Sequence, residues 1–313
     1  MEVLYRTEVT PDQIDHLGHM NVRFYGAHAR TGADQLLADI GLRADEGRAL
    51  VGRDVYVRHH REQLVGAPLE VQGGVLDASP TRVRFYEELL NSDSREVAAT
   101  FVLGFELADR SSRAPVELGD AVVAAASRDT VEVPEHGRPR SISLDDDPVA
   151  AAPAVEVLLE RGLALRQPRV IAGDEIAVDL DGYVSPATAG ELMWGGEPVE
   201  GHEFRPLEPL PGGNTMGFAT METRSTWARP PRVGDRVQSF AAELDLKAKT
   251  MLTRHWLFDV ERGDLLVVFT VVNLAFDVGN RRAIAIPDGL RARLEERLQP
   301  DLLTGQPGLA TGQ

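Results

Sequence analysis

The densest group of residues able to do chemistry lies near the start of the chain: Asp12, Asp15, His16, Gly18, His19 and Asn21. The alternating run Val3 to Val9 predicts a strand, broken at Thr10-Pro11-Asp12. Met20, Phe24, His28, Gly32, Leu36 and Ile40 then recur at i+4, which predicts a helix over 20–40. Asp15 therefore falls where strand gives way to helix. First-turn amides carry unpaired N–H donors and the positive end of the helix dipole. Such amides can stabilise an oxyanion, and a carboxylate beside them can attack a carbonyl or activate water. A capping role for Asp15, with His19 a satisfied polar side chain, fits the same residues, and both readings stay open at this level.

The elements around this cluster form an ordered series. Ala27, Ala29 and Ala33 would let the helix sit close to a neighbouring surface, and Gly41 suits its C-terminal stop. Strands are expected over 51–63, 69–78, 82–90 and 97–107, joined by turns short enough to require an antiparallel meander. Composition changes over 110–155, with an acidic run Asp145-Asp146-Asp147 and an alanine-rich stretch, as in a linker with a short helix near Val155 to Arg161. Strands resume over 175–184, 215–229, 236–246, 251–260 and 265–276, and Leu290, Leu294 and Leu298 mark a final helix before a Gly/Gln-rich terminus. At a constant offset, Val65-Gly66 falls on Val233-Gly234, Leu76-Asp77 on Leu244-Asp245, Leu89 on Leu257, Phe101 on Phe269 and Asp109 on Asp277. This overlay predicts a duplicated α+β unit. The expected domains are 1–125, a linker 126–155, 156–286, and a C-terminal helix and tail 287–313.

The string Asp15-His16-Leu17-Gly18-His19-Met20-Asn21, followed by Tyr25 in a long helix and then four strands, resembles the hotdog-fold acyl-CoA thioesterases typified by 4-hydroxybenzoyl-CoA thioesterase. The resemblance covers about residues 3–109. It implies an α+β double hotdog: two copies of a long helix wrapped by an antiparallel β-sheet. It also implies hydrolysis of an acyl-CoA to free acid and CoA, with Asp15 as nucleophile or general base and His19 and Asn21 as its supports. A backbone amide near Asn21 or Val22 would polarise the thioester oxygen, and Gly18 and Tyr25 would contact substrate. No cofactor is implied beyond the CoA of the substrate. Plant-type acyl-carrier-protein (ACP) thioesterases carry a related Asp-x-Asn-x-His string, but Leu17 stands at the Asn place here. An acyl-ACP thioesterase and a non-enzymatic acyl-CoA sensor are the rival readings. Residues 57–71 also resemble thioesterases of carnitine and betaine metabolism, which would imply a small cationic acyl group.

In the second half the motif is missing, because Tyr183 meets Asp15 and Pro186 meets Gly18. A shifted overlay brings Asp181-Gly182 to the catalytic place but finds no partner for His19 or Asn21. One site per chain is expected, with the second half as pseudo-dimer partner in a monomer, or with the tandem chain forming a homodimer. Glu222, Arg224 and Trp227 could line a pocket or simply occupy strand surface.

Charge and composition narrow the partners. With 33 Lys+Arg against 49 Asp+Glu, a net charge of -16 opposes broad binding to nucleic acid or anionic lipid. A CoA ligand would need local cations, and Arg58-His59-His60-Arg61, with Arg53, Arg82 and Arg84 nearby, is the candidate patch; a solvated face paired to acids is the alternative. His59 and His60 should point to opposite faces of a strand and cannot form a metal pair. With no cysteine, disulfides, thiolate metal sites and a cysteine nucleophile are excluded. Phosphate-loop, His-Glu-x-x-His and Gly-x-Ser-x-Gly patterns are absent. The polar start and the lack of an apolar run of about 18 residues predict a soluble cytoplasmic protein.

Overall fold

The chain opens with strand β1 (Glu2–Glu8) and one 3-10 turn at Pro11–Gln13, then reaches helix α1 (Val22–Asp39). Asn21 caps α1 by accepting the Arg23 N–H on its side-chain oxygen at 3.1 Å. At the far end, Gly41 turns left-handed at φ 75°. Its N–H reaches the Ala38 carbonyl and the Leu42 N–H reaches that of Leu37, closing the helix as the sequence predicts. In this computed structural model, residues 1–15, 17–173, 184, 189–200, 208–211 and 213–303 are described. They form two compact units, one built on residues 1–138 and the other on 139–173 and 189–303.

In the first unit, strands β2 (Arg48–His59), β3 (Pro68–Ala78), β4 (Arg82–Asn91) and β5 (Val97–Asp109) join β1 in an antiparallel sheet ordered β1-β3-β4-β5-β2. A short strand β6 (Pro115–Val116) lies on β5, and helix α2 (Asp120–Ala126) follows. The face of α1 carrying Tyr25, Ala29, Ala33, Leu36 and Leu37 is buried against Val71, Phe85, Leu89 and Phe101 of the sheet. Gly32 is required for this approach, since a Cβ there would stand 2.7 Å from Val71 Cγ1 and 3.1 Å from Glu87 Oε2. Residues 130–138 cover the opposite face of the sheet: the Val131 N–H bonds the Val75 carbonyl at 2.8 Å, and Gly137 lies over the Tyr86 ring.

The second unit contains helix α3 (Val155–Glu160), strand β7 (Arg169–Val170), helix α4 (Ala189–Trp194), strands β8 (Glu208–Pro209), β9 (Thr215–Trp227), β10 (Arg236–Leu246), β11 (Thr250–Asp259), β12 (Asp264–Asp277) and β13 (Arg282–Ala283), and helix α5 (Asp288–Glu295). Its sheet is ordered β7-β10-β11-β12-β9, the same connectivity as in the first unit. The resemblance implies a long helix here too. Among the described residues the helix on β10 and β11 is α4, six residues long.

Irregularities recur as well as strand order. β-Bulges interrupt the first sheet: one in β1 leaves out Leu4, and three more leave Arg53, Leu76 and Ala98 outside the paired register. The last three have counterparts. In the second, the displaced residues are Met221, Leu244 and Leu266. Each pair is separated by the offset that aligns Val65 with Val233. Bulges redirect a strand and are retained as features of a fold.

Of the strand expected over 175–184, all but Val184 lies outside the described residues, Asp181, Gly182 and Tyr183 included, as do His16, Pro186 and the terminus from 304. Among the described residues no helix is long and apolar enough to cross a membrane.

Candidate active site

Two loops of the first unit build the site. Residues 14–21 lead into α1 and residues 60–67 leave β2; the Met20 N–H joins them by donating to the Gln63 carbonyl at 2.8 Å. Within the first loop the chain folds back on itself, because the Asp15 N–H donates to the His19 carbonyl and the Gly18 N–H to the Asp15 carbonyl. This tight turn needs a left-handed residue, supplied by Gly18 at φ 83°. Gly18 therefore shapes the loop.

The carboxylate of Asp15 accepts the Leu17 N–H at 2.8 Å through one oxygen. Its other oxygen lies 3.4 Å from Nδ1 of His19. Nδ1 also lies 3.3 Å from the Met20 carbonyl, so two acceptors face it and place a proton there. The second ring nitrogen, Nε2, lies 3.7 Å from Oε1 of Glu62. The result is a chain Asp15–His19–Glu62 running from a largely buried carboxylate to one that is 44 % exposed.

Tyr25 ties the second loop to the helix. Its hydroxyl donates to the Arg61 carbonyl and accepts the Gln63 N–H, both at 3.1 Å. Burial is the main cause that pushes the phenol up to about 12, and the Asp15 charge adds to it. The ring packs edge-on against His59 at 5.1 Å. His59, enclosed there and beside His60, is pushed down to about 4. Tyr25 thus braces the loop.

The structure corrects two sequence readings of the helix start: Asp15 as its cap, and the Asn21 amide as an oxyanion donor. Asp15 is held by Leu17 within its own turn, because Asn21 has taken the cap. The Asn21 N–H is also spent, donating to the Gln13 carbonyl at 2.9 Å. Asn21 therefore acts as cap rather than oxyanion donor. The Val22 N–H has no hydrogen-bond partner among the described residues and stands at the exposed start of α1.

A third correction concerns the cationic patch. Arg58, His59, His60 and Arg61 do not present a common surface, because alternation along β2 sends them to different faces and residues 130–138 cover one of those faces. Arg58 is buried and donates to the carbonyls of His136 and Arg138 at 2.7 and 2.8 Å. His60 faces Thr100 and His136, while His59 faces Tyr25. The exposed Arg61 lies 3.8 Å from Glu96; Arg53 pairs with Glu106 and Arg84 with Asp77. In the second unit, Glu222 accepts the N–H groups of Arg140 and Ser141, Arg224 donates to the carbonyls of Ser143 and Asp146, and Trp227 is buried. Glu222 and Arg224 thereby anchor the linker.

Sequence reading missed Glu62 and Gln63. Their one local signal is position, immediately after the strand that ends in His59.

Residues 9–136 match the family model of the thioesterase-like superfamily. The first unit belongs to that superfamily. The match supports a thioesterase-type unit, and the helix on an antiparallel sheet seen here is the α+β hotdog arrangement. No curated protein matches the sequence. Among solved structures, a putative oleoyl thioesterase from Lactobacillus plantarum shares 12 % identity with a TM-score of 0.61, covering 87 % of this chain and 96 % of its own. The 12:0-ACP thioesterase from Umbellularia californica shares 12 % identity with a TM-score of 0.63, covering 87 % of this chain and 93 % of its own. At that identity the likeness is one of fold, extending over most of the chain.

Proposed function

We propose that the chain hydrolyses an acyl-CoA thioester to the free acid and CoA at a site centred on Asp15. The observation that carries this reading is the Asp15–His19–Glu62 chain beside the open Val22 amide. With Asp15 as general base, its carboxylate takes a proton from water as the water oxygen bonds to the thioester carbon. The carbonyl electrons move onto oxygen, where the Val22 N–H donates to the developing charge. Collapse breaks the C–S bond, and the leaving thiolate takes the proton back from Asp15. As nucleophile, Asp15 would instead form an anhydride that water then opens. His19 holds Asp15 through Nδ1, and Glu62 holds His19.

The shared strand order and the three recurring bulges support a duplicated hotdog unit, with the site motif kept in the first copy only. This second copy carries the fold without the chemistry. The reaction so written uses water, side chains and one backbone amide, and calls on no resident cofactor.

Thiol release from a panel of acyl-CoA esters by wild type and Asp15→Asn tests the proposal. Hydrolysis by the wild type and loss of it in the variant are expected; retained turnover in the variant would remove Asp15 from the mechanism. Binding of esters without turnover by the wild type would instead make the chain an acyl-CoA sensor. The Umbellularia enzyme, similar in fold over the same length, motivates an acyl-ACP substrate as the second reading. Comparing kcat/KM for one acyl group on CoA and on ACP separates the two. A single turnover in ¹⁸O-water separates the roles of Asp15, since only the nucleophile route places unlabelled enzyme oxygen in the product acid.

A further inference from the structure

Residues 60–63 leave the sheet directly after the paired Arg58 and His59 and enter the site. The N–H groups of His60 and Arg61 both fall on one carbonyl, that of Ala98, at the β5 bulge. With His59 at the end of β2, this segment makes contacts on both Tyr25 and His19. His59 packs on Tyr25, the Arg61 carbonyl and Gln63 N–H bracket its hydroxyl, and Glu62 faces His19.

On the other face of the sheet, the strap of residues 130–138 is fastened at several points. Glu88 is the hub, bonded by the Tyr86 hydroxyl at 2.8 Å, by Gln72 Nε2 at 2.9 Å and by His136 Nε2 at 2.5 Å. Arg58 closes the clasp with two strap carbonyls on one nitrogen. It is the buried charged residue directly before the segment that forms the site wall.

We propose that Arg58 is a positioning residue for the Asp15 site: by binding the strap it fixes where the strand ends and so sets His59, Glu62 and Gln63 against α1. This rests on the reading of Asp15 as the catalytic carboxylate. A neutral side chain at position 58 removes the clasp and leaves the His136 and Arg138 carbonyls without their donor. The end of β2 then shifts, and Glu62 and the Tyr25 bracket shift with it. Misplacement of a catalytic group by about 1 Å can cost about 100-fold in rate.

The test measures thioester hydrolysis by Arg58→Met, Arg58→Lys, Gly137→Ala and Asp15→Asn, with melting temperature and active-site concentration determined for each. A Cβ on Gly137 would meet the Tyr86 hydroxyl at 2.3 Å and its ring at 2.8 Å, so this variant lifts the strap without touching Arg58. The expected result for Arg58→Met is a kcat per active site lowered about 10- to 100-fold with KM nearly unchanged. Arg58→Lys should restore part of it, because an ammonium can still reach a carbonyl, and Gly137→Ala should lower kcat in the same sense. Wild-type kcat per active site in a folded Arg58→Met overturns the proposal. If that variant does not fold, wild-type kcat in Gly137→Ala overturns it. Turnover retained by Asp15→Asn overturns the reading of the site itself, an outcome distinct from a wild-type rate in the strap variants.

Discussion

His19 Nδ1 stands 3.4 Å from Asp15 Oδ2, four residues back along the chain but across a tight turn rather than along a helix. The imidazole is thereby held between Asp15 and Glu62, and its value to the reaction lies in orienting the first carboxylate. His19→Ala should lower kcat about 10- to 100-fold with a smaller change in KM. Glu62→Gln should follow in the same direction with a smaller loss, since it acts one residue further from the thioester. The pH dependence of kcat for the two variants and wild type checks this. Identical rates in all three would leave Asp15 acting without the chain.

Tyr25→Phe isolates the brace. The substitution keeps the ring against His59 but leaves the Arg61 carbonyl and the Gln63 N–H without their shared partner. Loss of buried hydrogen bonds of this kind costs about 1–3 kcal/mol, visible as a lower denaturation midpoint. A phenol pushed up to about 12 by burial should also show no ionisation near 295 nm at pH 10 until the protein unfolds.

Much of this architecture could be read from residue order alone. The helix, expected over 20–40 and found over Val22–Asp39, and the meander after it follow from periodicity and punctuation, and the observed ends of β3, β4 and β5 fall within about two residues of those expected. Two of the failures share one cause. Whether Arg58 is a surface cation or a buried clasp depends on a segment about 80 residues later in the chain, and nothing local to the basic run records that. The same holds for Glu62, whose partner His19 is brought near by the Met20–Gln63 bond between loops. Asn21 is different: an Asn just before an amphipathic run is a local capping signal, and it places the helix start at Val22 rather than Met20 and the cap at Asn21 rather than Asp15.

Gly32 and Glu87 make a coupled pair in the core of the first unit. Gly32→Ala gains helix propensity worth about 1 kcal/mol. It also drives a methyl into Val71 and Glu87, and overpacking of this kind costs about 1–3 kcal/mol. A net lowering of the melting temperature is expected. Its reversal in the double variant Gly32→Ala, Val71→Ala would assign the cost to that contact.

Glu87 is buried against α1 with neither carboxylate oxygen bonded to a partner among the described residues, and burial raises its pKa, with Asp34 adding to the effect. Position 255 on β11, at the same offset as the bulges, holds His255, which is pushed down to about 3 by burial. The two groups give opposite linkage. For Glu87 the folded pKa lies above the unfolded one, so stability is full below the ordinary glutamate range and is lost as pH rises towards the raised value. For His255 the folded pKa lies below the unfolded one, so stability is full above about 6.5 and is lost as pH falls from there to about 3. Glu87→Gln should therefore flatten the alkaline side of the stability profile, and His255→Gln the acid side. Melting curves from pH 4 to pH 9 for both variants check this. A Glu87→Gln protein that loses stability with rising pH as steeply as wild type would show that Glu87 is ionised where it sits.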